Sequence, residues 1–225
     1  MRIESKYRLN SYEADNVISY MYNMGYELDH HCKDGNPYQV CSIYFDTHDN
    51  VCYNDKLDGL TQRTKIRLRY YSQEEIKSHP LTLEFKEKDN IFGWKEKRYF
   101  SYEQVYSLIK DGKGDLHNCL INNFGYLEPR IFIQYRRLAF NHPTDKKTRI
   151  TFDYYMFWRE IDKSKDDFVG STIFSPLRKD QIIMEAKVSK EISIDLSKMV
   201  QNFGLNWRET SKYKICFDHM IENIF

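Results

Sequence analysis

Arg63-Thr64-Lys65-Ile66-Arg67-Leu68-Arg69-Tyr70 alternates charged and apolar side chains. A period of two is the signature of a half-buried strand. Arg63, Lys65, Arg67 and Arg69 fall on one face; Ile66, Leu68 and Tyr70 fall on the other, with Thr64. Like charges in a row, with no acid on that face of the strand, cost energy unless an anion neutralises them. Phosphate oxygens do so well, because arginine offers a bidentate fork and lysine a point charge.

The same alternation recurs outward in both directions. In Arg2–Leu9, Arg2, Glu4, Lys6 and Arg8 oppose Ile3, Tyr7 and Leu9. In Leu81–Lys88, Glu84, Lys86 and Lys88 oppose Leu83 and Phe85; Lys95 and Lys97 share a face in Trp94–Phe100. Later, Arg149, Thr151 and Asp153 oppose Ile150 and Phe152, and Glu185 and Lys187 oppose Met184, Ala186 and Val188. Further strands are read at Tyr38–Thr47 and Arg130–Phe140, with a short one near Val169–Phe174. Helices are read from a Ser11 cap over Tyr12–Met24, from a Ser101/Gln104 capping box to Lys110, over 116–124, over 194–203 and over 211–224. Residues 29–37 read as a loop, 53–59 as a short connection and 89–93 as a hairpin.

A solvated sheet face is the ordinary reading of charges on any one strand. Taken together the strands favour another. The apolar faces must be buried, and helices can cover them from outside, which leaves the charged faces inside. The expectation is one α+β domain over residues 1–225: a closed antiparallel β-barrel, a tunnel of about eight strands with helices packed outside. A narrow basic bore suits a long, thin polyanion.

Composition narrows the partners. Basic residues number 34 and acidic residues 33, for a net charge of +1. Such balance points to neither a nucleic-acid nor a membrane partner. The five cysteines include no CxxC pair and read as reduced thiols without zinc. No apolar run resembles a signal peptide or a membrane span, so a cytoplasmic location is expected. His30 and His31 lie in a predicted loop and read as solvated. Glu4, Glu84 and Glu185 sit among cations and allow two readings: partners of neighbouring Lys or Arg, or ligands of Mg²⁺ or Mn²⁺.

Nine short strings, in order along nearly the whole chain, carry a resemblance. They are ESKY at 4–7, SIYFDT at 42–47, KIRLRYY at 65–71, LEFK at 83–86, WKEKR at 94–98, YRRLAF at 135–140, TRITFD at 148–153, MEAK at 184–187 and SKY at 211–213. The sequence resembles the VTC domain, the polyphosphate-polymerase domain of the vacuolar transporter chaperone complex, and its stand-alone bacterial relatives within the triphosphate tunnel metalloenzymes. The resemblance implies that ATP gives its γ-phosphate to a growing polyphosphate chain, with Mn²⁺ or Mg²⁺ as cofactor and with pyrophosphate or polyphosphate as the other partner. Carried over by motif position, the substrate-binding residues are Lys6, Arg67, Arg69, Lys86, Arg137, Arg149, Lys187 and Lys212. Lys95 and Lys97 compete for one further family lysine. Glu185 is the implied metal carboxylate, with Glu4 and Glu84 as helpers. The CYTH relatives open with Glu-x-Glu-x-Lys; here Arg2 takes the first glutamate's place, which weakens a paired-carboxylate metal site and favours the VTC reading. Two alternatives stand beside polymerisation: hydrolysis of tripolyphosphate or a nucleoside triphosphate, and non-catalytic binding of polyphosphate or an inositol phosphate.

Overall fold

The computed structural model describes residues 2–72, 76–89, 92–114, 116–118, 120, 125–190 and 193–224. Among these residues nine antiparallel strands form: β1 (Arg2–Leu9), β2 (Glu27–Leu28), β3 (Tyr38–Asp46), β4 (Gln62–Tyr70), β5 (Leu81–Asp89), β6 (Phe92–Phe100), β7 (Glu128–Asn141), β8 (Arg149–Glu160) and β9 (Ile182–Ser189). Helices α1 (Ser11–Asn23), α2 (Val51–Leu57), α3 (Tyr102–Asp111), α4 (Ser193–Asn202) and α5 (Lys212–Ile224) accompany them.

The hydrogen-bonded strand order is β1-β9-β8-β7-β3-β4-β5-β6, with β2 on β7. The path ends at β1 and at β6, so the sheet is open and the expected closed barrel is not what forms. Alternation within a strand says which residues share a face, but nothing about whether the first and last strands of a sheet meet. Like charges crowd along single strands. Across the ladder, Arg67 is paired with Glu84 and Lys6 with Glu185, so acids from neighbouring strands do part of the neutralising that closure was invoked for.

The chain packs as two compact units. One comprises Met1–Gln39, Tyr135–Met156 and Leu177–Ser211; the other comprises Val40–Gln134, Phe157–Pro176 and Lys212–Phe225. In the first, Tyr7 and Leu9 of β1, Phe152 of β8 and Met184 and Ala186 of β9 bury against Ala14, Val17 and Met21 of α1. In the second, Ile43, Phe45, Ile66, Leu68, Leu83 and Phe85 bury against Val105, Leu108 and Ile109 of α3. Each large side chain so buried contributes about 1.5–3 kcal/mol, which holds the strands in register and leaves the polar faces turned the other way.

Local signals explain the helix starts. Asn10, one residue before the expected Ser11, caps α1: its side chain accepts from the Glu13 N–H at 2.9 Å, and the Glu13 carboxylate accepts from the Asn10 N–H at 2.8 Å. A cap at Ser11 would have met Ala14, which has no oxygen to return. Ser101 and Gln104 close the expected capping box on α3, and Gly112 ends it with φ of 62°. α2 replaces the connection read at 53–59. Its first-turn N–H groups are satisfied from upstream: Asp46 accepts from Cys52 and Tyr53 at 2.8 and 3.0 Å, and Thr47 accepts from Val51 at 3.0 Å. The short strand read near 169–174 is instead two isolated bridges, Ile161 with Val169 and Trp158 with Phe174. The helix read over 116–124 falls partly outside the described residues, as does the hairpin at 89–93.

Candidate functional site

Charged side chains gather on the polar strand faces of both units. In the second unit, β3, β4, β5 and β6 carry three rows. Tyr44, Arg67, Glu84 and Lys97 stand opposite one another; Ser42, Arg69, Thr82 and Tyr99 form the next row; Lys65, Lys86 and Lys95 form the third. Glu84 is the centre. It is 4 % exposed, and its carboxylate lies 2.7 Å from Arg67 Nη2, 3.6 Å from Arg69 Nη1 and 3.3 Å from Lys95 Nζ. Burial alone would raise its pKa. Arg67, then Arg69 and Lys95, outweigh burial and bring it down to about 2. Lys95 is pushed the other way: burial, with Lys97 and Arg67 beside it, lowers its pKa although Glu84 works to raise it. One carboxylate therefore organises more positive charge than it cancels. Arg69 Nε is buried with no hydrogen-bond partner among the described residues.

Aromatic groups hold Arg67. Its Nη1 donates to the Tyr44 hydroxyl at 3.0 Å. The Tyr44 ring stacks on Tyr213, with centroids 5.2 Å apart and 12° between the planes. Tyr213, at the start of α5, donates its hydroxyl to Asp46 Oδ2 at 2.7 Å. Asp46 is the same buried carboxylate that starts α2, so one residue secures a helix and a wall of the basic face. Lys212 is the first residue of α5 and is half-buried; Lys86 and Lys97 are exposed.

In the first unit, β1, β9 and β8 present the rows Glu4–Lys187–Arg149 and Lys6–Glu185–Thr151. Lys187 Nζ contacts Glu185, and lies 4.0 Å from Glu4; Lys6 Nζ is 3.6 Å from Glu4 and donates to the Thr210 carbonyl at 3.1 Å. Arg137 of β7 makes a two-point pair with buried Asp153, Nε to Oδ1 at 2.6 Å and Nη2 to Oδ2 at 2.9 Å. Burial would lower the Arg137 pKa, but Asp153 holds it well above its ordinary value. Arg8 has the opposite fate, lowered by burial and by Arg208. Arg8 Nε, Arg149 Nε and Thr151 Oγ1 are buried with no hydrogen-bond partner among the described residues.

The VTC domain family profile matches residues 1–221. The chain belongs to the VTC domain family. Solved structures share the fold of this VTC domain. One from Bacillus halodurans, with a provisional adenylate cyclase assignment, has a TM-score of 0.58 at 10 % identity and covers 94 % of each chain. One from Vibrio parahaemolyticus, with the same provisional assignment, scores 0.52 at 15 % identity, covering 95 % of this chain and 96 % of that one. A third, from Pyrococcus horikoshii, scores 0.52 at 12 % identity, covering 97 % and 99 %. At these identities the likeness concerns the fold. Comparison with proteins of curated function returns no match.

The structure brings Lys6, Arg137, Arg149, Lys187, Glu4 and Glu185 onto the first unit of the VTC domain, and Arg67, Arg69, Lys86, Lys95, Lys97, Lys212 and Glu84 onto the second. Lys95 and Lys97 share a face, and Lys95 is the one in contact with Glu84. Sequence reasoning missed Tyr44, Tyr213, Asp46 and Arg208. Arg208 follows Trp207, which bridges to Tyr7, and its N–H donates to the Lys6 carbonyl at 3.0 Å. No periodicity marks that segment. The acids divide by surroundings. Glu84 commits its oxygens to three cations. Glu185 is buried against Lys187, and Glu4 stands between Lys6 and Lys187; of the two, Glu4, 35 % exposed at its side chain, has the water access that a hard cation's shell needs. No helix among the described residues is long and apolar enough to cross a membrane.

Proposed function

We propose that this VTC domain is a polyphosphate polymerase that moves the γ-phosphoryl group of ATP to the end of an inorganic polyphosphate chain, in the cytoplasm and with Mn²⁺ or Mg²⁺. The observation that carries the reading is the buried Glu84 bound by Arg67, Arg69 and Lys95. It fixes three cations in place before substrate arrives, so little reorganisation is left for the reaction itself. Membership of the VTC domain family supports phosphate chains as the substrate class.

The chain's own residues have little covalent work to do. Phosphoryl transfer proceeds through a loose transition state with charge spread over the equatorial oxygens, and positioning with charge stabilisation accounts for most of the rate. Arg67 and Arg69 grip the triphosphate, with Lys86 and Lys95 beside them. Lys6, Arg149 and Lys187 bind phosphate groups, and Lys212 and Lys97 extend the basic surface. Arg137 is held flat by Asp153 so that its remaining donors are aimed. Glu185, with Glu4, would hold the divalent ion, which when bound offsets charge on the phosphate oxygens. The acceptor oxygen belongs to the chain end, so no nucleophile from the protein is required.

The test is an assay for acid-stable polymer from ATP and Mn²⁺. Polymer from wild type, lost in Arg67→Ala, is the expected result. Free phosphate without chain growth would move the reading to hydrolysis, and tight salt-sensitive binding without turnover would move it to a binder.

A further inference from the structure

Arg8 shares the polar face of β1 with Glu4 and Lys6, two residues further along. It stands opposite Ile183 of β9, which carries no charge. The next residue in that row, Asp153 of β8, is taken by Arg137. Other cations of this unit each have a carboxylate: Lys6 has Glu4, Lys187 has Glu185 and Arg149 has Asp29. Arg8 has none among the described residues, although its side chain is half-buried. Its Nε is buried and has no hydrogen-bond partner there either.

A second arginine reaches Arg8 from the other side of β1. Tyr7 bridges antiparallel to Trp207, and the Arg208 N–H donates to the Lys6 carbonyl at 3.0 Å. Arg208 therefore stands opposite Lys6, and opposed residues of an antiparallel pair share a face. That puts Arg208, Lys6 and Arg8 together on the polar face. Lys6 Nζ fastens the same segment by donating to the Thr210 carbonyl at 3.1 Å. The Arg208 side chain is exposed and, like Arg8, has no acidic partner among the described residues. The two charges feel each other: burial first, then Arg208, lowers the Arg8 pKa.

Two like charges held close, one of them partly withdrawn from water, cost the fold stability. An anion between them turns that repulsion into attraction on both sides. A phosphoryl group suits the place, because its oxygens point several ways and each guanidinium offers a fork. We propose that Arg8 and Arg208 together bind one phosphoryl group of an inorganic phosphate chain, in a subsite beside Lys6. The inference rests on the proposed function in taking phosphate as the ligand class. It adds two contacts to those carried over by motif position.

Pyrophosphate, titrated without metal into the full chain and followed by calorimetry, tests the pair separately from turnover. Arg8→Met and Arg208→Met remove the charge and keep most of the aliphatic stem. Each should bind pyrophosphate about tenfold more weakly, the size of one charge-assisted hydrogen bond. Neither urea midpoint should fall, because each substitution also relieves the repulsion. Arg208 is exposed, so Arg208→Met folds even if Arg8→Met does not. Unchanged affinity in either variant overturns the pair and leaves the polymerase reading standing. Weaker binding with a lower urea midpoint in both variants also overturns it, since the arginines then hold the sheet and not the anion. No pyrophosphate binding by wild type overturns it too, and the polymer assay then judges the polymerase reading alone.

Discussion

Glu84 and Arg67 occupy the same register position on β5 and β4 and close an ion pair of 2.7 Å. Because the folded-state pKa of Glu84 lies near 2 rather than 4.5, its contribution to stability is complete above about pH 4.5. It drains away as the pH falls toward 2 and the carboxylate takes up its proton. A displacement of that size in a buried group corresponds to about 3 kcal/mol. Urea unfolding at pH 6 and pH 3 should show a steeper acid loss for wild type than for Glu84→Gln. At pH 6 the variant should be less stable by about 3 kcal/mol, since it leaves Arg67, Arg69 and Lys95 crowded without their counterion. Equal acid slopes for the two proteins would show that Glu84 is not the group responsible.

Arg67→Ala should separate catalysis from stability. Glu84 keeps Arg69 and Lys95, so the fold survives, but a preorganised donor is gone from the triphosphate. A fall of about 100-fold in kcat/KM for ATP is expected. Arg67→Lys should recover only part of it, because an ammonium cannot reproduce the fork that reaches both Glu84 and Tyr44. Steady-state kinetics of polymer formation on all three proteins measure both effects.

Much of this arrangement was readable in the sequence, and the limits have physical causes. The alternation in 63–70 correctly placed Arg67 and Arg69 on one face against Ile66 and Leu68, because strand periodicity is a local property. Sheet closure is not local, and there the reading failed. Tyr44 was visible only as a strand former, since its role depends on Tyr213, far along the chain. α2 was missed because its first turn is satisfied by Asp46 and Thr47, upstream of the usual cap position. Nothing in Asp29-His30-His31 announces that Asp29 is buried or that Arg149 reaches it, so the sequence shows only a loop there.

Tyr213→Phe tests the link from Asp46 to Arg67. Burial first, then Asp46, holds the Tyr213 phenol far above its ordinary pKa, so it stays a hydrogen-bond donor at every pH the protein is used at. Removing the hydroxyl leaves the ring stack but takes one partner from a buried carboxylate, a loss of about 1–3 kcal/mol. The urea midpoint should fall accordingly. Turnover should fall less than in Arg67→Ala, because the Tyr44 hydroxyl still meets Arg67.

Removal of the divalent ion should stop polymer formation, and Glu185→Gln should do so at ordinary metal concentrations. Outer-shell changes around metals already cost about 10–100-fold in affinity, so loss of a direct carboxylate should cost no less. Water-proton relaxation during a Mn²⁺ titration reads this without relying on activity. Undiminished Mn²⁺ binding by Glu185→Gln would remove that residue from the metal site.

Arg137 poses the last question, whether its charge serves substrate or only Asp153. Asp153→Asn leaves a buried guanidinium without its counterion and should cost about 3–5 kcal/mol in urea unfolding. That loss alone says nothing about substrate. Replacing both partners, Arg137→Met with Asp153→Leu, removes the charges together and should return stability close to wild type, because apolar side chains of similar volume fill the site without a desolvation penalty. The double variant is therefore folded yet lacks the Arg137 donors. If Arg137 touches a phosphoryl oxygen as proposed, the double variant should lose turnover about as deeply as Arg67→Ala. If Arg137 exists to neutralise Asp153, turnover should return together with stability. Stability and turnover measured on the same pair of variants thus assign the residue, which neither single substitution does.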